Sequence, residues 1–69
     1  MKFIVSIVGV KTQFEFFKLQ QRVFARLYMS DPVEASDKKE AINKILPEAM
    51  ADFDKRGFRY ITSSAVTLP

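Results

Sequence analysis

Lys18, Arg22 and Arg26 recur at every fourth position, and that spacing lines up groups able to bind phosphate or carboxylate. A step of four keeps side chains on one side of a strand, with its period of two, and also of a helix, with its period near 3.6. Read as a strand, the same face adds Gln20, Phe24 and Tyr28. Cations then alternate with rings, as on sheets that contact phosphates and stack on bases. Lys18, Arg22, Phe24, Arg26 and Tyr28 are therefore the candidate partner-binding set. The plain alternative is a solvated face whose long side chains cover apolar neighbours. Neither an RNP-like aromatic motif nor a glycine-rich clamp accompanies the row.

Other chemistry is scarce. Glu48, Asp52 and Asp54 could share a proton or hold a hard cation. Arg56 lies one turn after Asp52 and Lys55 is beside Asp54, which suits a solvated face better. Ser63 and Ser64 have no base in the sequence pattern to activate a hydroxyl. The chain has no histidine, cysteine or tryptophan and no phosphate-binding glycine loop. We therefore assign no catalytic, cofactor-binding or metal-ligating residue and expect a protein that is not an enzyme and carries no cofactor. Phe14, Phe16 and Phe17 could anchor a partner, because aromatic residues dominate binding hot spots; core packing is expected to take at least one of them.

The elements that must position these groups belong to one domain, residues 1–69, near the lower size limit for a single core without disulfides or metal. Seven phenylalanines exceed what so small an interior can hold, which places some rings at an oligomer or partner interface. The net charge of +3 is compatible with an acidic partner and does not by itself imply nucleic acid. Met1-Lys2 followed by Phe3 to Val10 resembles the start of a secretory signal. Ser6 and Lys11 interrupt it, however, and no small-residue cleavage site follows. No apolar run approaches the roughly 20 residues of a membrane span. The expectation is a cytoplasmic protein without membrane attachment.

Phe3 to Val10 is rich in β-branched residues and apolar on both alternating faces, the pattern of a central strand. Thr12 to Ser30 fits two periods. Its odd positions from Phe17 to Met29 are apolar except Gln21, which favours one long strand, bulged or broken. Thr12-Gln13-Phe14-Glu15 has capping-box form, so a helix at 13–21 followed by a strand at 22–30 is the alternative. Asp31-Pro32 marks a boundary. Ser36 or Asp37 then caps a helix in which Ile42, Ile45, Leu46, Ala49 and Phe53 form the apolar stripe and Lys55-Arg56-Gly57 the end. Pro47 predicts a kink near Asn43 to Pro47, or two short helices. Phe58 to Leu68 reads as a last strand with a bulge at Ser63-Ser64.

The fold class is thus α+β: a small antiparallel sheet of about three strands with one amphipathic helix on one face, ββαβ, or βαβαβ in the alternative. The other sheet face lacks cover, and the functional hypotheses start there. Val33-x-Ala35-Ser36-Asp37-x-x-Glu40-Ala41-Ile42 between strand and helix, followed by a C-terminal strand, resembles many short phage-borne and bacterial accessory proteins over roughly the second half of the chain. The resemblance implies a class of small, non-enzymatic binding proteins and transfers no catalytic residue. The expected function is binding through protein–protein contacts. A phage-type accessory protein or inhibitor of a host nucleic-acid enzyme or defence complex, anti-CRISPR-like, would fit, with a homodimer or a larger protein as partner. The alternative is direct nucleic-acid binding through the basic-aromatic face.

Overall fold

Five elements form in the computed structural model, which describes residues 1–69: β1 (Lys2–Glu15), β2 (Gln20–Met29), β3 (Val33–Glu34), α1 (Lys38–Arg56) and β4 (Arg59–Thr67). The strands make one antiparallel sheet with β1 in the middle, as its two-sided apolar sequence requires. β2 pairs along one edge from Ser6↔Met29 to Glu15↔Gln20, and β3 prolongs that edge at Phe3↔Val33. β4 lies along the opposite edge, from Phe3↔Thr67 to Val10↔Arg59. Between β2 and β3, Ser30 fills the gap left by Asp31-Pro32. Its N–H donates to the Val5 carbonyl (2.9 Å), and its hydroxyl accepts from the Val5 N–H (3.0 Å).

The expected α+β fold forms, with three differences in detail. First, Thr12 to Ser30 is not one strand, and no helix forms at 13–21. Residues 12–15 finish β1, Phe16 to Leu19 make a turn, and β2 runs back. Cross-strand pairing of Thr12↔Val23 and Phe14↔Gln21 overrides the local capping-box pattern. Second, α1 is continuous from Lys38 to Arg56, so the two-helix option does not form. Pro47 sits on the exposed side of the helix. The carbonyl it leaves unbonded belongs to exposed Asn43, where water can reach it. Third, the bulge in β4 is at Ile61, not Ser63-Ser64: Val8 faces Thr62 and Gly9 faces Tyr60, leaving Ile61 as the extra residue.

Asp37 is the N-cap, its Oδ1 accepting from the Glu40 N–H at 2.8 Å. At the other end Gly57 adopts φ 79°, the left-handed value that glycine tolerates best. The Gly57 N–H reaches Asp54 O (3.4 Å) and the Phe58 N–H reaches Phe53 O (2.8 Å), a Schellman ending. The Phe53 and Phe58 rings meet across it, 6.3 Å apart.

Ala41, Ile45, Ala49 and Phe53, each four residues apart, are the buried stripe of α1; Ile42 and Leu46 flank it half-buried. They pack on Phe3, Val5 and Ile7 of β1 and Ala65 of β4, with Ala35 closing the end. Four of these nine core residues are alanines, so the helix lies close to the sheet. The closest approach is at Gly9, where a Cβ would stand 2.9 Å from a ring carbon of Phe53.

α1 lies over β1 and β4 and leaves most of β2 unsupported. β4 ends opposite Val10, so from Lys11 onward the sheet narrows to the two strands of the hairpin. Five residues per strand at about 3.4 Å each carry this arm about 17 Å beyond the body. The radius of gyration, 14.7 Å, exceeds the about 11 Å of a compact chain this long, and the extents are 51 × 20 × 16 Å.

Candidate binding surfaces

The basic row does not lie on the uncovered face. Pairing of Ile7 with Tyr28, Gly9 with Arg26 and Lys11 with Phe24 turns the even residues of β2 to the helix side. There they meet carboxylates. Arg26 Nε lies 2.7 Å from Asp52 Oδ2, while Arg56 takes Asp52 Oδ1 at 3.0 Å. The hydrogen bond from Arg26, then that from Arg56, holds the Asp52 carboxyl below its usual range. Arg22 reaches Glu15 at 2.8 Å, and Lys18, which belongs to the turn, approaches the same carboxylate at 3.8 Å. The Tyr28 hydroxyl donates to Glu48 (3.3 Å). Loss of solvation, then the Glu48 charge, raises its pKa and keeps it protonated. Phe24 lies under Lys11, whose Nζ is 5.8 Å from its ring centroid and 5.1 Å from that of Phe58. Every cation of the row therefore has an intramolecular carboxylate, and three of its members tie β2 to the body.

The acidic set disperses in the same way. Asp52 is occupied by two arginines and Glu48 by Tyr28; Asp54 is exposed, and no group of three or more acidic side chains converges as metal ligands would. Ser63 shares a hydrogen bond with the Tyr60 hydroxyl (3.0 Å). The surface holds no pocket.

Two apolar surfaces remain, and each comes from the sequence differently. The odd residues of β2 form an apolar face, as their alternation indicates, but that face points away from the helix. With Ile4, Val8 and Val10 of β1 and Val66 of β4 it makes the uncovered side of the sheet; Val23, Leu27, Met29 and Val66 are all more than half exposed.

The second surface is the tip of the arm. None of Phe14, Phe16 and Phe17 enters the core; Phe16 is 77% exposed, Phe17 fully so, and Leu19 beside them 76%. Phe14 and Phe16 pack edge to face, centroids 6.2 Å apart. The Lys18 N–H closes the turn onto Glu15 O (3.3 Å), and Leu19 returns the chain with φ 49°. Leu19 is the one non-glycine residue with positive φ, a conformation that costs a residue with a Cβ about 1–2 kcal/mol. Sequence reasoning missed this turn because no glycine, proline, asparagine or aspartate marks it. The signal that was present is Phe14, Phe16, Phe17 and Leu19, four large apolar residues within six positions, with no element left to bury them.

No family model matches the chain, and no curated protein or solved structure matches it. No helix is long and apolar enough to cross a membrane.

Proposed function

We propose that this protein is a non-catalytic binding module that presents the Phe16–Leu19 tip of its hairpin arm to an apolar pocket on a larger protein. One observation carries the reading: the most exposed aromatic side chains of the chain stand at the far end of an arm that contributes nothing to the core, on a turn that holds a leucine in the left-handed conformation. Strain of this kind persists where it serves a site, and rigid aromatic anchors surrounded by polar residues are how small interfaces gain most of their affinity. Acting by occupation needs no catalytic group. An inhibitor or accessory subunit of a host enzyme or defence complex works in this way. Direct nucleic-acid binding is the weaker reading, because Glu15 pairs with Arg22 and Lys18 and Asp52 pairs with Arg26, so the cations it would use are partly compensated within the chain.

The test is capture of a partner by wild type and by a Phe16→Ser/Phe17→Ser chain, with Leu19→Gly as a milder variant that also relieves the turn. Both variants should melt no lower than wild type and retain less than about a tenth of the captured partner, while wild-type capture should be little affected by salt. Equal capture by the double variant removes the tip from the site. Salt-steep binding to single-stranded DNA or RNA, lost on replacing Lys18, Arg22 and Arg26 by Gln and with it a slope of up to about three ionic contacts, would establish the nucleic-acid reading instead.

A further inference from the structure

We infer that the uncovered face of the sheet is the seat of a second copy of this chain, so that the working unit is a two-armed homodimer with both helices outside. Along this face β1 carries no charge from Ile4 to Phe14 and β2 none from Gln21 to Met29; the charged residues are at its margins, Lys2 and Glu34 at one end and Arg59 at the β4 edge. A patch without charge has nothing to offer a partner selected by complementary charge, whereas it is complementary to itself, as a two-fold interface requires. Two antiparallel sheets pack face to face with their strands within about 30° of each other, side chains of the inner faces interdigitating. Ile4, Val8 and Val10, with Ser6 among them, are flanked by Leu27 and Met29 on one side and by Val66, Ser64 and Thr62 on the other, an uncharged and mostly apolar inner face with its opposite sheet missing. The two longest dimensions, 51 and 20 Å, cap the face at about 1,000 Å² per chain, so an interface of roughly 800 Å² per partner fits on it only with the strands of the arm included.

This inference uses a different surface from the tip and stands or falls separately. Sedimentation equilibrium at high micromolar concentration should return a dimer for wild type and for Phe17→Ser, and a monomer with undiminished helix content for Leu27→Lys. The chain has no cysteine, so Val8→Cys, in the middle strand of the face, gives a second readout that does not depend on the stability of a charged variant. Val8→Cys should form a disulfide-linked dimer under mild oxidation, while Asn43→Cys on the outer side of the helix should not. A wild-type monomer across the concentration range, or a Leu27→Lys dimer indistinguishable from wild type, overturns the proposal. Equal cross-linking through Asn43 and Val8 does so as well.

Discussion

The two halves of β1 share one backbone ladder and differ in everything that faces it. From Phe3 to Gly9 the odd residues are covered by α1 and the strand is flanked on both edges; from Lys11 to Glu15 the odd residues are polar and β2 is the only neighbour. The polar switch at Lys11 coincides with the end of the helix, where Lys11 Nζ approaches the Arg56 carbonyl. The apolar character nevertheless returns at the tip. Leaving a large apolar side chain exposed forgoes about 1.5–3 kcal/mol of burial, in a class of domain whose whole stability is about 5–15 kcal/mol. In the body, phenylalanine stabilises the fold; at the tip, Phe16 and Phe17 forgo that burial, and the proposed binding role is what would use them.

The sharpest way to break that contrast is to truncate one ring in each region. Phe53→Ala, which empties the core beneath Gly9, should cost about 3–5 kcal/mol. Phe17→Ala, at the tip, should stay within about 0.5 kcal/mol of wild type in the same thermal melts. Gly9→Ala belongs to the body effect. Its Cβ has no room beside a fully buried ring, so it should destabilise by about 1–3 kcal/mol, and less in a Phe53→Leu background. Equal losses at Phe53 and Phe17 would mean that the tip is packed after all.

A smaller effect reads the junction between the two regions. Asp52, bonded to Arg26 from β2 and to Arg56 from α1, titrates below its ordinary value in the folded chain; Glu40 does so through the Ser36 hydroxyl first and Lys44 second. Each binds fewer protons folded than unfolded. Their stabilisation is therefore complete above the unfolded values of about 4 and is lost as the pH falls through the lower folded values. Denaturant midpoints should be flat from these groups between about pH 5 and 7 and drop below about pH 4. Asp52→Asn should shallow that drop. Tyr28 acts at the opposite end with the opposite sign: its raised pKa stabilises the fold below the unfolded value of about 10 and the contribution disappears as the pH rises further.

Much of the body was legible because its local signals agree with its packing. Asp37 and Gly57 mark the helix ends, the stripe from Ile45 to Phe53 marks its buried side, and two-sided apolar character places β1 in the centre. The arm was not legible for the same reason in reverse. Its turn rests on Leu19 in a conformation leucine rarely adopts, and only the pairing of Glu15 with Gln20 reveals it. The side of β2 that meets the helix was hidden too. Alternation shows that Arg22, Arg26 and Tyr28 share a face with one another; the register against Ile7 and Gly9 decides that this face is the helix side. The bulge at Ile61 falls where β4 passes from Val8 to Gly9, a pairing between residues far apart in sequence.

Separation of a folding body from an arm that does not support it is measured most directly by native-state hydrogen exchange at concentrations too low for self-association. A two-stranded ribbon is marginally stable without a third strand or a helix, so the bonded amides of residues 11–15 and 20–24 should exchange through local openings. Those openings should cost well under the global unfolding free energy, whereas the bonded amides of residues 3–9 should exchange only with unfolding. Replacing Phe16 and Phe17 by Ser should leave the protection of residues 3–9 unchanged. Uniform protection along the whole hairpin, falling throughout when the tip is altered, would contradict the account.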